Sequence, residues 1–272
     1  MKKTIAIILA MTLAAQAFTG RAQDTQIFNH LAVGATIGLD GLGIEVASTL
    51  TPYVQVRAGY SIFPYAYKTT AGQFGLNNVD FNGTTINLSA AAMKADLNSG
   101  GPKLLFDIYP GKKTPFHFTV GLLYHNDMYL KATVNARQPL LDAGFTDGQL
   151  NEVYIGLDDN DPDLRISPSA DGVIVAGLDT WKLRPYVGIG FGRAVNPKRR
   201  VGVTFDMGAF FWGSPTLASY DYSLDPAGRK VTLNAAKIQN NETLGGAASV
   251  LGIVEKVPVF LYLKLNIFVR IL

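Results

Sequence analysis

A period-two alternation of apolar and small residues, repeated along most of the chain, constrains this sequence more than any other feature. Leu31, Val33, Ala35, Ile37 and Leu39 alternate with His30, Ala32, Gly34, Thr36 and Gly38, and Asp40-Gly41 follows as a hairpin signal. Leu42, Ile44, Val46 and Leu50 then oppose Gly43, Glu45, Ala47 and Thr49. After Thr51-Pro52, Val54, Val56, Ala58, Tyr60 and Ile62 oppose Tyr53, Gln55, Arg57, Gly59 and Ser61. The pattern resumes over 104–109, 116–124, 183–191, 201–211 and 261–271. It predicts about eight strands, each with one continuous apolar face.

The second face decides what surrounds them. A soluble sandwich or lipocalin-like barrel buries its apolar face and wets the other with charge. Here the second face is glycine, alanine, serine and threonine with single charges, which suits the crowded interior of a small barrel. Charged residues are 17% of the chain, below the roughly 25% of a soluble domain. The apolar face is therefore assigned to lipid. A lumen with polar space would accept an arginine at Thr204. The stretch from Val257 to Leu272 is interrupted by Lys264, Asn266 and Arg270, so it cannot cross a bilayer as a helix. The fold expected is all-β: a single antiparallel transmembrane β-barrel.

Link lengths support that reading. Counted from a periplasmic N-terminus, the links at 51–52, 110–114 and 193–200 fall inside and are short. Those at 63–88, 126–180 and 213–257 fall outside and are long. Short periplasmic turns and long outer loops mark outer-membrane barrels. Only the tight Asp40-Gly41 turn departs from the rule. Segment 86–101 reads either as a short helix from Ser89 or, over Met93 to Leu97, as the upper part of the fourth strand. Segment 231–254 could hold a helix in the last loop.

Lys2 and Lys3 precede a short apolar core, Thr4 to Ala17, and then Ala15-Gln16-Ala17 and Gly20-Arg21-Ala22. Residues 1–22 are expected to be a signal peptide, cleaved after Ala22, leaving 23–272 as the barrel. The alternative is an N-terminal anchor that is never cut. No cysteine is present, so disulfides, thiolate metal sites and a lipid-modified cysteine are excluded. The net charge of +3 comes from scattered basic residues and does not form a nucleic-acid surface.

Phe106-Asp107-Ile108-Tyr109-Pro110, Gly121-Leu122-Leu123-Tyr124, Arg184-Pro185-Tyr186-Val187-Gly188-Ile189-Gly190-Phe191-Gly192, and Phe205-Asp206-Met207-Gly208 leading to Gly213-Ser214-Pro215 mark strands and turns. In these segments the chain resembles the small OmpA- or OmpW-like outer-membrane barrel proteins of Gram-negative bacteria. The resemblance implies an exported protein of the cell outer membrane. Its expected partners are outer-membrane lipid and lipopolysaccharide, with the barrel-assembly machinery acting during insertion. Such barrels usually end in an aromatic residue, whereas this chain ends Phe268-Val269-Arg270-Ile271-Leu272.

Candidate site residues follow from the inward face. A turn at Leu50-Thr51-Pro52 sets Glu45 across from Arg57, and a turn centred on Lys112 sets Asp107 across from His117. Single buried charges need such partners. Tyr53, Tyr186, Tyr262, Phe268, Lys264 and Arg270 are expected to fill the rest of the lumen. Asp158, Asp159, Asp161 and Asp163 could gather a cation weakly, although the glycine and glutamate of a helix-loop-helix calcium site are missing. Tyr60, Phe63, Tyr65, Tyr124, Trp181 and Trp212 suit interface girdles. His30, His117 and His125 are the three histidines. A lipid A-modifying enzyme would need one of them beside a serine, such as Ser61 or Ser214, and a carboxylate. No nucleophile motif or cofactor site accompanies them. The function expected is a non-enzymatic structural or surface-binding role, with no cofactor. The alternatives are a conduit for small or hydrophobic molecules and, second, the lipid A-modifying enzyme.

Overall fold

The computed structural model describes residues 30–125, 128–157, 161, 164–196, 198–233, 252 and 256–271. Segment 1–22 therefore lies outside the described residues, as does most of 231–254. Strands β1 (Leu31–Gly38), β2 (Gly41–Thr51) and β3 (Val54–Ile62) open the chain as consecutive hairpins. The next link carries β4 (Ala66–Thr70), β5 (Asn78–Phe81), β6 (Thr84–Asn87) and β7 (Ala92–Leu97). Strands β8 (Gly101–Ile108) and β9 (Phe116–Tyr124) follow. The longest link holds β10 (Leu130–Asn135), helix α1 (Arg137–Asp142), β11 (Ile155–Gly156), β12 (Arg165–Ile166) and β13 (Val173–Asp179). The chain then forms β14 (Leu183–Gly192), β15 (Val201–Phe211), β16 (Thr216–Asp221), β17 (Arg229–Leu233) and β18 (Val259–Arg270).

Eight of these strands close on themselves in the order β1-β18-β15-β14-β9-β8-β3-β2, all neighbours antiparallel. At 8 to 12 residues each, they match the roughly 9–11 residues of a tilted transmembrane strand. The alternation sorts as the sequence predicts. Val33, Ile37, Ile44, Val46, Tyr60, Leu104, Phe118, Val187, Val203, Phe205, Leu265 and Ile267 are exposed outward. Their inward neighbours Ala32, Glu45, Arg57, Lys103, Asp107, His117, Tyr186, Thr204, Asp206, Lys264 and Phe268 are buried. Ile44 is 69% exposed beside Glu45 at 1%. A continuous apolar exterior around a polar, filled interior is a solution only in lipid.

The long links are not loops. Strands β4, β7, β10, β13, β16 and β17 form a second, six-stranded sheet in the order β17-β16-β13-β10-β7-β4. This order repeats that of β18, β15, β14, β9, β8 and β3 in the barrel wall. Six barrel strands thus run on past the barrel rim, while β1 and β2, joined by a tight turn, do not. The turn falls on Leu39-Asp40, one residue earlier than the Asp40-Gly41 signal, since Gly41 already pairs with Gly38; this short link marks where the outer sheet stays open. Within 86–101 the strand reading holds, since Ala92–Leu97 pairs with β4 and β10. One face of the outer sheet is covered by the β5–β6 and β11–β12 hairpins, around a core including Val79, Phe81, Leu88, Val134, Leu140 and Ile166.

Candidate functional site: the filled lumen

Three layers fill the barrel. At the short-link end the 193–200 link folds inward. Val195 donates its N–H to Gln55 Oε1 at 3.1 Å, and Gln55 Nε2 donates back to the Val195 carbonyl at 2.6 Å. Ala194 and Val195 pack with Ala32, Ala47 and Phe268. The Arg193 guanidinium lies 3.9 Å from the Tyr109 ring centre, and Tyr109 Oη donates to Gln55 Oε1 at 3.2 Å. Side chain, ring and backbone close this end.

The middle layer is ionic. Arg57, fully buried, donates from Nη2 to Asp107 Oδ1 and from Nη1 to Asp206 Oδ2, both at 2.8 Å. Glu45 Oε2 stands 3.5 Å from Nη1. Lys264 Nζ donates to Glu45 Oε1 at 2.6 Å. Lys103 Nζ reaches the same oxygen at 3.1 Å and Asp40 Oδ2 at 2.7 Å. Asp40 Oδ2 also accepts from Tyr262 Oη and Ser61 Oγ, each at 2.6 Å. His117 Nε2 bonds Asp206 Oδ1 at 2.9 Å. Asn266 Nδ2 donates to Asp206 Oδ2 at 2.8 Å and to Thr204 Oγ1 at 2.7 Å. Each carboxylate is thus held by cations and donors, the condition under which charge survives in a dry interior.

Glycines make room for this network. A Cβ at Gly190 would collide with His117 Nε2 and Asp206 Oδ1, and one at Gly208 with Tyr186 Oη.

The third layer lies under the outer sheet and is aromatic. Tyr129, Tyr186, Phe210, Trp212 and Tyr262 pack with Leu105 and Leu123. The Arg184 guanidinium lies 4.9 Å from the Tyr129 ring centre and 5.4 Å from that of Phe210. Its Nε donates to the Trp181 carbonyl at 3.0 Å, and Nη2 donates to Thr180 Oγ1.

The expected pairs meet, but through a different register. Glu45 pairs with Gly59 and Arg57 with Ala47, because the turn uses Pro52 and Tyr53 and the ladder shifts between Thr49 and Thr51. Arg57 reaches Glu45 diagonally. Asp107 pairs with Thr119, two residues beyond His117, and His117 Nε2 stands 3.9 Å from Asp107 Oδ1. Asp206, Lys103 and Asp40 complete the network. Asp40 read only as a turn residue, yet its side chain enters the lumen. Tyr53 is exposed at the turn rather than inward, and Trp212 is buried in the aromatic layer, where its Nε1 donates to the Val257 carbonyl at 2.7 Å. Tyr60, Tyr65, Tyr124 and Trp181 are exposed.

Asp107, His117 and Asp206 bring three ligand atoms within 4.8 Å of one another. The Arg57 guanidinium, 2.8 Å from both carboxylates, occupies the cation position between them, so the cluster is an ion-pair hub. Of Asp158, Asp159, Asp161 and Asp163, only Asp161 lies among the described residues. His30 sits at the start of β1, its carbonyl accepting from Ser48 Oγ at 2.9 Å. His125 Nδ1 lies 3.1 Å from the Asn98 carbonyl. Burial, with Arg184 nearby, pushes the His125 imidazole down to about 4. Ser61 bonds Asp40 rather than a histidine.

No protein-family model matches the chain, and no curated protein matches it. Among solved structures, CarO of Acinetobacter baumannii is 19% identical, aligned over 90% of this chain and 99% of its own, with a TM-score of 0.46. CarO2 of the same organism is 18% identical over 90% of this chain and 100% of its own, with a TM-score of 0.45. A major outer membrane protein from Thermus thermophilus is 12% identical over 89% of this chain and 98% of its own, with a TM-score of 0.35. By its own strand order and its apolar exterior, the chain has the architecture of a small transmembrane β-barrel: eight antiparallel strands closed around a filled lumen.

Proposed function

We propose that this chain is an integral outer-membrane barrel of non-enzymatic, structural and surface-binding role, which holds a folded outer sheet above the bilayer. The observation that carries this reading is the lumen. Arg57, Lys103 and Lys264 interlock with Asp40, Glu45, Asp107 and Asp206 across the full bore. The Val195 link lies at one end of that layer and the Tyr129–Trp212 aromatic cluster at the other. An eight-stranded barrel is only wide enough for side chains to fill, and here they do fill it. What remains available for binding is the outer sheet, built from half a dozen strand extensions. The barrel's apolar wall suits outer-membrane lipid, and lipopolysaccharide would surround its outer rim. Recording from the purified protein in planar bilayers tests the reading. A silent or barely conducting membrane is expected. Steady, large, voltage-independent conductance would overturn the closed lumen and make the protein a general pore.

A further inference from the structure

The outer sheet carries a trough on its covered face. Met93, Val134 and Ile174 pair across β7, β10 and β13, and Leu97, Leu130 and Leu178 do so four residues along the ladder. Between them stand Ala95, Ala132 and Ala176. The roof over this trough consists of Leu76, Val79 and Leu88 on one side and Ile155, Leu157 and Ile166 on the other. Between floor and roof lies a cavity of about 110 Å³ whose lining is entirely apolar. Protein cores are packed to the density of organic crystals, and voids larger than a water molecule are few. A cavity without polar partners holds no ordered water, and dry cavities of about 150 Å³ take up benzene or xenon. Larger side chains at Ala132 and Ala176 would fill this one, yet both positions hold the smallest side chain that keeps a strand. Val79 and Leu88, 1% and 2% exposed, line its wall, whereas Leu76, Ala132, Ile155 and Ala176 are half-buried, so the space is an inner pocket of the outer sheet with an opening to its surface.

We propose that this cavity, between the alanine floor of β10 and β13 and the β5 and β11–β12 roof, is a binding site for a small apolar group. The occupant is an apolar molecule no larger than a benzene ring, or the terminal methylenes of a lipid acyl chain. The proposal deepens the surface-binding reading and rests on it for its biological use. The two are nevertheless measured separately, since a barrel can be closed whether or not the outer sheet binds anything.

The full chain, methyl-labelled and held in a fluorinated surfactant that offers no hydrocarbon acyl chain, is titrated with xenon and then with benzene. Saturable shifts are expected at the methyls of Leu88, Val134, Ile166 and Ile174, with the lipid-facing methyls of Val203 and Ile267 giving only a linear response. In the filled variant Ala132→Leu/Ala176→Val, affinity should fall at least tenfold while the barrel still migrates as folded. Should the double variant not fold, Ala176→Val alone is measured in the same way, and a smaller loss of affinity is expected. Transfer to nanodiscs containing lipopolysaccharide distinguishes the two sources. Loss of the xenon response there identifies an acyl chain, and an unchanged response identifies a free molecule. No saturable shift at the lining methyls, or equal shifts in wild type and filled variants, would overturn the proposal.

Discussion

Arg57 makes the lumen a single object. Its guanidinium touches carboxylates from three other strands: Glu45 on β2, Asp107 on β8 and Asp206 on β15. Removing one member of a buried ion cluster leaves charges without partners, at a cost of about 3–5 kcal/mol. Arg57→Met should therefore lower the thermal unfolding temperature of the barrel sharply, read as the shift between folded and unfolded bands on heated gels. Adding Asp107→Asn and Asp206→Asn should recover much of the loss, because the repulsion goes with the charges. An Arg57→Met barrel as stable as wild type would refute the hub. At this scale the sequence was partly legible. Period two placed Glu45, Arg57, Asp107 and His117 inward, since alternation alone assigns a face. It could not assign partners, because a two-residue turn and a ladder shift move the register by two residues. Asp40 was missed because a turn aspartate normally serves its own backbone, and only closure of the barrel brings Lys103 and Tyr262 to it.

At the scale of elements, strands and outer links behave differently. On β15, Val203 and Phe205 face outward while Thr204 is buried against Asn266. Phe205→Arg should block insertion, since a mid-bilayer arginine costs about 2–4 kcal/mol. Thr204→Arg, which a roomy lumen would have accepted, should block it too, because this lumen has no space for it. The faces are separated instead by apolar changes. Val203→Leu should leave folding yield unchanged, whereas Thr204→Leu should destabilise by about 1–3 kcal/mol through overpacking and the loss of one of the two acceptors of Asn266 Nδ2. The outer sheet is fastened elsewhere. Asp221 on β16 bonds Ser167 Oγ at 3.0 Å and Ser223 Oγ at 2.6 Å, and pairs with Arg165 at 3.3 Å and Arg229 at 3.2 Å. Burial raises the carboxyl's pKa, but the bonds from Ser223, Ser167 and Arg165 outweigh it and hold it below its ordinary value. The stabilisation is therefore present above the ordinary carboxylate range and lost as pH falls through the lowered value. Proteolysis at 164–179 and 214–230, outside the barrel strands, should rise at acid pH in the wild type. Asp221→Asn should show that susceptibility already at neutral pH. The long links read as loops because strands of two to seven residues, interrupted by turns, carry too few alternations to be counted. Their pairing depends on neighbours far away in sequence.

For the whole molecule, one polarity ties together barrel, links and outer sheet. The three long links gather at one end as a six-stranded sheet, and the short links at 52–53, 109–115 and 193–200 lie at the other. By the rule of short periplasmic turns and long outer links, the sheet end is expected to face the medium. This much was readable from link lengths, because an antiparallel barrel must send successive links to alternate sides whatever the links contain. The chain contains no cysteine, so single cysteines report location without background. Gly148 sits in the longest link, where a Cβ would meet open space, and Lys112 is exposed in a short link. Neither touches the lumen network or the aromatic layer. Gly148→Cys should react with a membrane-impermeant maleimide on intact cells, whereas Lys112→Cys should react only after the outer membrane is permeabilised. Thr204→Cys, buried between the strands, should stay unlabelled until the barrel is unfolded. Labelling of Lys112→Cys on intact cells, with Gly148→Cys protected, would invert the molecule and place its sheet in the periplasm. Equal labelling of both on intact cells would mean that the barrel does not span the membrane at all.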